Sequence, residues 1–210
     1  MARKALAVLT VLLTAVFAGV LPGAPAQAAE LDPTETIKKT VDRVIDVLND
    51  PDIQGPEYRG ERKQRVFAVI DPVFDFDELS MRTLGRYWRD RTTEEKEEFV
   101  EVYTEFLKNF YFDKVDTHET EKIIYGDELR RGGRAEVRTR VVTPKGTEVP
   151  IDYRLKNVDG GWLVYDVVIE GVSLVRSYRS QFGDAIRSSS FDNLMKELRE
   201  KLKEGEGAEG

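Results

Sequence analysis

The spacing of apolar residues changes twice along the chain, and this change constrains the fold more than any other feature. The spacing is helical up to about His118, alternates between residues 134 and 155, and becomes helical again after Ser173. Gly-Gly and Pro-Lys-Gly turn signals separate the alternating segments, and such short connections require antiparallel neighbours. We therefore predict an α+β fold, in which helices pack on one face of an antiparallel four-stranded meander sheet.

Capping residues and prolines mark the ends of the predicted helices. Thr92 and Glu95 form a capping box that opens the longest helix, and Asp32 precedes a proline at the start of the first. The predicted helices run from Asp32 to Leu48, over 58–70, from Asp75 or Asp77 to Leu84, over 93–112, over 173–186, and from Ser190 or Asp192 onward. The predicted strands are 123–125 with its flanks, 134–142, 149–155 and 162–169.

The amino terminus has the three parts of a secretory signal. Two basic residues precede an uncharged apolar run at 5–20, and Ala-Gln-Ala at 26–28 fits a cleavage site. The apolar run is shorter than the ~20 residues that a membrane span needs. We predict a cleaved signal peptide at 1–28, a single domain at 29–203 and a disordered polar tail at 204–210, and therefore export to the periplasm.

Charge and cysteine usage exclude several classes of protein. The chain has 32 basic and 39 acidic residues, a net charge of −7, and removal of the predicted signal peptide makes it more negative. This balance argues against nucleic acid or an anionic membrane surface as the main partner. An exported chain without cysteine has no disulfide framework, so its stability must come from packing.

Few residues support catalysis or metal binding. His118 is the one histidine in the sequence, and no serine lies in a nucleophile-elbow motif. The acidic segment 74–78 lacks the glycine and the distal glutamate of a calcium loop. One alternative is an isomerase-like or dehydratase-like enzyme on a cone-shaped α+β fold, with His118 paired to Asp116 or Asp166. The favoured prediction is a protein that is not an enzyme and has no cofactor or metal.

Aromatic residues are abundant for one small domain, both on the helix at 93–112 and from Trp162 onward. They form either a packed core between helices and sheet or the lining of an apolar cavity. The residues alone leave both interpretations open. A packed core would suit a periplasmic interaction or chaperone module, whereas a cavity would suit a carrier of apolar molecules.

Two parts of the sequence resemble the MlaC family. The first is Leu-Gly-Arg-Tyr-Trp at 84–88 with the capping box at 92–95 and the aromatic helix that follows. The second is Ile-Glu-Gly-Val-Ser-Leu-Val at 169–175 followed by Tyr-Arg-Ser-Gln-Phe at 178–182. The likeness extends from about residue 33 to 200, nearly all of the chain after the predicted signal peptide.

The resemblance implies a monomeric periplasmic phospholipid carrier, an auxiliary component of an ABC transport system. Its implied partners are an outer-membrane lipoprotein complex and the MCE-domain subunit of an inner-membrane ABC transporter. It also implies an apolar cavity between helices and sheet that holds the acyl chains, with the headgroup near the mouth. Moving ~30 methylenes from a bilayer into water costs about 24 kcal/mol, at about 0.8 kcal/mol each, so many apolar side chains must share the burial.

The residues expected to bind lipid are apolar or aromatic and are chosen by their position in the resemblance. They are Leu84, Tyr87, Tyr103, Phe106, Phe110, Val168, Val172, Val175, Tyr178 and Phe182. Arg179 is expected either near the mouth, where it attracts the phosphate of the headgroup, or in a surface ion pair.

Overall fold

The structure is a computed structural model that describes residues 32–116 and 122–207. The predicted signal peptide and His118 lie outside the described residues. In the part that is described, no helix has the length and apolar character needed to cross a membrane.

Six α-helices lie in the described ranges, three of them before the longest one. The helices are α1 (Pro33–Leu48), α2 (Arg59–Ile70), α3 (Phe76–Leu84), α4 (Thr93–Asp116), α5 (Leu174–Ser188) and α6 (Phe191–Gly207). Short 3₁₀ segments at Pro51–Ile53, Pro56–Tyr58, Asp71–Val73 and Gly85–Asp90 connect the first four.

The predicted caps are present at the helix starts. The Asp75 carboxylate accepts a 2.8 Å hydrogen bond from the amide of Glu78, which selects Asp75 over Asp77 as the cap of α3. At the start of α4, the amide of Thr92 donates to Glu95 and the amide of Glu95 donates back to the Thr92 hydroxyl, at 2.8 and 3.2 Å. Local sequence thus sets where these helices begin.

Two helices extend about one full turn beyond the end that the sequence pattern indicates. Helix α4 continues to Asp116 because Arg62 of α2 donates two hydrogen bonds to the Asp116 carboxylate, at 2.7 and 2.8 Å. Both side chains are nine-tenths buried, so a tertiary contact fixes this helix end. Helix α6 continues to Gly207, into the segment that was predicted to be a disordered tail.

The sheet has five strands, so the prediction of four is wrong. The strands are β1 (Lys122–Arg131), β2 (Arg134–Val142), β3 (Glu148–Val158), β4 (Gly161–Ile169) and β5 (Val172–Ser173), in that order and all antiparallel. The additional strand β5 is only two residues long, which is too short to show an alternating pattern. It forms because Glu170 and Gly171 both adopt positive φ, 49° and 81°, and turn the chain back onto β4.

Strand β4 is buried on both faces, and it carries a bulge that changes which face its side chains point to. Leu155 pairs with Val164 while Arg154 pairs with Asp166, so Tyr165 is an extra residue opposite β3. Val164 faces the apolar side of the sheet, and Asp166 faces the start of α5.

The apolar residues form two separate cores. The sheet core joins α1 to the apolar face of the sheet, and its buried members are Ile37, Ala135, Val137, Leu155, Trp162, Val164 and Val167. The helical core joins α3, α4, α5 and α6, and its buried members are Leu79, Leu84, Phe99, Tyr103, Phe106, Leu107, Val175, Tyr178, Phe182, Phe191, Leu194, Met195 and Leu198. The expected apolar cavity is not shown, because the side chains that would line it pack against one another.

Candidate functional site

Four aromatic rings form a continuous stack along α4, which we call the aromatic ladder: Phe99, Tyr103, Phe106 and Phe110. Successive ring centroids are 5.3, 6.4 and 6.0 Å apart, and the planes are nearly parallel. Phe99 and Tyr103 are fully buried, Phe106 is 8% exposed and Phe110 is 45% exposed. The ladder is therefore an apolar path from the protein surface into the centre of the helical core.

Two rings of α5 close the side of the aromatic ladder. The Tyr178 ring meets Tyr103 and Phe106 edge-on, with centroids at 5.6 and 5.8 Å. The Phe182 ring meets Tyr103 edge-on at 5.2 Å. Such contacts are favourable but contribute only about 0.5–1.5 kcal/mol each beyond area burial, so this side of the core is built from many small interactions.

Six of the ten residues expected to bind lipid lie together in the helical core. They are Leu84, Tyr103, Phe106, Val175, Tyr178 and Phe182. Phe110 joins them at the exposed end of the aromatic ladder, and half-buried Tyr87 contacts α5 at Gly183. Val168 is buried on β4 outside the helical core, and Val172 is 57% exposed on β5.

A groove between α4 and α6 opens at the exposed end of the aromatic ladder. Its volume is about 430 Å³, and Phe106, Phe110 and Leu202 give it an apolar floor. The ammonium group of Lys201 lies 5.9 Å from the Phe106 ring centroid, and that of Lys114 lies 4.9 Å from the Phe110 ring centroid. The groove thus combines aromatic faces with one cation in its lining, Lys201, and a second, Lys114, over the Phe110 ring; the carboxylates of Asp113 and Glu204 also line it.

Neither lysine is among the residues predicted from the sequence to bind lipid. Lys114 follows Phe110 by four residues on α4, and this spacing is a local signal that could have identified it. Lys201 comes from α6, and no local pattern connects it to Phe106.

The helical core contains buried hydroxyl groups with poor hydrogen bonding. The Ser80 hydroxyl on α3 has no partner among the described residues, and the Tyr103 phenol on α4 lies close to the Thr83 hydroxyl on α3 but outside normal hydrogen-bond geometry. Burial raises the pKa of the Tyr103 phenol well above its usual value, so the group stays neutral. Unpaired buried hydroxyls make the packing of α3 against α4 less favourable than an all-apolar contact would be.

The carboxylates of the enzyme hypothesis have structural partners. Asp166 accepts hydrogen bonds from the Ser173 hydroxyl, the Val175 amide and Arg154, at 2.7, 3.1 and 2.9 Å. Asp116 is bound by Arg62. Neither group is positioned as a free acid or base. Among the described residues, no group of histidines and carboxylates could hold a metal ion.

Arg179 is exposed on α5 and does not line the groove. Its Nε donates a 2.6 Å hydrogen bond to the carbonyl of Arg82 at the end of α3. Its side chain also lies against Gly85, where an added Cβ would be 3.4 Å from its Cδ and Nε. In the described structure Arg179 forms no ion pair with a carboxylate.

The fold has a solved counterpart among phospholipid-binding proteins. The fold is similar to that of the phospholipid-binding protein from Ralstonia solanacearum, whose structure was solved in complex with a phospholipid at 1.53 Å. The TM-score is 0.72 at 27% identity, and the match covers 83% of this chain and 99% of that one.

The MlaC protein family model matches residues 38–200, and the chain belongs to this family. It is 29% identical over 126 residues to the toluene tolerance protein ttg2D of Pseudomonas putida, 59% of each chain. It is 22% identical over 134 residues to the intermembrane phospholipid transport system binding protein MlaC of Haemophilus influenzae, which covers 61% of this chain and 63% of that one. The matches thus span about three-fifths of the length of these curated relatives.

Proposed function

We propose that this protein binds a phospholipid and carries it through the periplasm, between an outer-membrane lipoprotein complex and the MCE-domain subunit of an inner-membrane ABC transporter. The observation that carries the proposal is the aromatic ladder, which leads from the exposed Phe110 ring to the fully buried Phe99 ring. The similarity to a phospholipid-bound protein from Ralstonia solanacearum supports the same ligand class.

In this proposal the acyl chains enter at the groove and separate α5 from α4. Each chain replaces ring–ring contacts of the aromatic ladder with ring–methylene contacts, so the apolar area stays buried. The favourable term is burial of the lipid's own methylenes, at about 0.8 kcal/mol each, which offsets the cost of taking the lipid from a bilayer. The buried apolar side chains of the helical core supply the surface against which these methylenes would pack.

The division of the protein into two cores makes such an opening feasible. The helical core can repack without breaking the hydrogen bonds between strands, because the sheet core packs separately, between α1 and the apolar face of the sheet. The Tyr103 ring contacts Tyr178 and Phe182 of α5, but its hydroxyl forms no hydrogen bond to that helix, so separating α5 from α4 breaks no hydrogen bond of this group.

We assign the lipid phosphate to the edge of the groove. Lys114 and Lys201 present ammonium groups there, whereas Arg179 contacts the end of α3 instead. Neither lysine forms an ion pair with a carboxylate in the described structure, so each is available to an anionic headgroup. Carriage of this kind needs no catalytic residue and no cofactor.

Mass spectrometry of solvent extracts of the purified protein tests the proposal. We expect stoichiometric phospholipid, and a reduced lipid content in Phe110→Glu, which places a carboxylate at the mouth of the groove. Leu129→Glu on β1 is the matched control, because Leu129 is also exposed, at 51%. A wild-type protein that holds no phospholipid and takes none from vesicles would overturn the proposal.

The closed helical core favours one second candidate, an interaction or chaperone module. Its rings already pack within 5.2–6.4 Å of each other, as a permanent core would. Recovery of client polypeptides without any lipid in the same preparations would favour that function.

A further inference from the structure

Four exposed arginines lie on two neighbouring segments of the helical half. Arg176 and Arg179 are three residues apart on α5, a spacing that places them on one side of an α-helix. Arg86 and Arg89 are three residues apart in the 3₁₀ segment Gly85–Asp90, where side chains at this spacing lie above one another. Each pair therefore presents two guanidinium groups in one direction.

Specific contacts hold the two segments side by side. Arg179 donates to the carbonyl of Arg82, in the last turn of α3 before the 3₁₀ segment. The Tyr87 hydroxyl donates a 3.4 Å hydrogen bond to the carbonyl of Gly183, one turn beyond Arg179. An added Cβ at Gly183 would lie 3.7 Å from the Tyr87 ring, so the segments are in van der Waals contact. We call the surface formed by Arg86, Arg89, Arg176 and Arg179 the arginine face.

The charges of the arginine face are not compensated. In the described structure none of its four guanidinium groups pairs with a carboxylate, whereas Arg62, Arg82 and Arg154 all do. Arg86 instead donates a 2.7 Å hydrogen bond to the Tyr87 hydroxyl and lies over its ring. An uncompensated cationic cluster in a chain of net charge −7 creates a local field opposite in sign to that of the whole protein.

We propose that the arginine face is a docking surface for an acidic patch on a protein partner. Planar guanidinium groups form paired hydrogen bonds with carboxylates, and four of them would fix the orientation of such a patch. Tyr87 lies among them, and tyrosine and arginine are the residues enriched at the centres of protein interfaces. The proposal goes beyond lipid binding and stands whether or not the protein carries lipid.

The size of the arginine face favours a protein over an anionic bilayer. A typical protein partner covers about 800 Å² of each surface. Charges more than ~8 Å away are screened at physiological salt, so such a partner senses mainly the cations of the arginine face. A bilayer is a plane wider than the whole protein, so it would also meet the exposed carboxylates at the margin of the arginine face, such as those of Asp90 and Asp184. The net negative charge would therefore oppose binding to an anionic bilayer more than docking to a small acidic patch.

Binding of a labelled oligoglutamate peptide to the full chain, followed by fluorescence anisotropy at low salt, tests this proposal. The variant Arg89→Glu/Arg176→Glu reverses two exposed charges of the arginine face and spares Arg179, which packs on α3. The control Lys38→Glu/Arg43→Glu reverses two exposed charges on α1 that form no ion pair in the described structure, so both variants have the same net charge.

We expect the arginine-face variant to bind the peptide about tenfold more weakly than the wild type, and the control to differ by less than about threefold. Wild-type binding should weaken as salt is added. Equal losses in both variants, or no binding by the wild type, would overturn the proposal. Wild-type binding to phosphatidylglycerol vesicles without binding to the peptide would overturn it in favour of a bilayer.

Mass spectrometry of lipid in the same preparations separates this proposal from the proposed function. We expect the arginine-face variant to retain the lipid content of the wild type, because its two substitutions lie outside the groove. A lipid-free wild type that still binds the peptide through the arginine face would contradict the carrier proposal alone.

Discussion

The carboxylate of Asp166 accepts a 2.7 Å hydrogen bond from the hydroxyl of Ser173, and both side chains are buried. Ser173 in turn accepts a hydrogen bond from the amide of Arg176 and so caps α5. A single buried group thus connects β4 to the helix that carries Tyr178 and Phe182. This link fixes one end of α5, while the proposed opening for lipid takes place farther along the helix.

Replacement of Asp166 by Ala should lower the free energy of unfolding by about 2–4 kcal/mol, because it leaves the Ser173 hydroxyl and the Val175 amide without their acceptor and removes one of the two carboxylates that bind Arg154. Urea denaturation measures the change. Asp152→Ala on β3 is the control: burial, together with nearby Glu136, raises the pKa of Asp152, so its charge is unfavourable in the folded state. We expect Asp152→Ala to leave the free energy of unfolding unchanged or slightly higher. An equal loss of stability in both variants would contradict the role of Asp166 in holding the start of α5.

The stability of the junction between α1 and β1 should depend on pH through Glu128. Burial by itself would raise the pKa of the Glu128 carboxyl. Hydrogen bonds from Arg130 and Thr34 outweigh this effect and lower the pKa of Glu128 from 4.5 to about 2. Since the folded pKa is the lower one, this contribution is complete above about pH 4.5 and is lost as the pH falls towards 2.

Glu128→Gln isolates this effect from the other carboxylates. We expect the variant to be less stable than the wild type by about 1 kcal/mol at neutral pH, since the partner Arg130 is partly exposed. The difference should shrink as thermal unfolding is repeated at lower pH. A difference that stays constant down to pH 3 would show that Glu128 is not held in its charged form.

Two glycine substitutions should change stability in opposite directions. Gly85 has φ of +56° and Arg179 lies against it, so Gly85→Ala should destabilise the protein by about 1–2 kcal/mol. Gly60 lies in α2 with no atom within 4 Å of an added Cβ, so Gly60→Ala should stabilise it by about 0.5 kcal/mol. Chemical denaturation measures the free energy of unfolding of both variants. A Gly85→Ala variant as stable as the wild type would show that the backbone at Gly85 is not strained by a side chain.

Removing the Tyr103 hydroxyl should stabilise the lipid-free protein. Tyr103→Phe deletes a buried polar atom whose contact with the Thr83 hydroxyl falls outside normal hydrogen-bond geometry, for an expected gain of about 1 kcal/mol. Tyr87→Phe is the control, because it loses the 2.7 Å hydrogen bond from Arg86 and should be slightly destabilised. Calorimetry of lipid-free samples measures both, and a destabilised Tyr103→Phe would mean that the hydroxyl is satisfied in solution.

Patterns within a few residues predicted most of the secondary structure. The structure confirms the capping box at Thr92 and the cap at Asp75. It also confirms strands β2 and β3, which were predicted from their alternating pattern. The end of α4 did not follow from local pattern, because Arg62 fixes it from 54 positions away. Strand β5 was missed because two residues cannot display a period, although the turn that creates it is local.

Residue spacing and turn chemistry within a few positions were enough to predict the α+β class, the antiparallel order of the strands and the aromatic stripe of α4. Three other features depend on contacts between distant residues: the aromatic rings close on themselves, Lys201 meets Phe106, and Arg86 and Arg179 lie on one surface. These contacts join residues far apart in the chain. Their formation depends on how whole helices pack, and no local period records that.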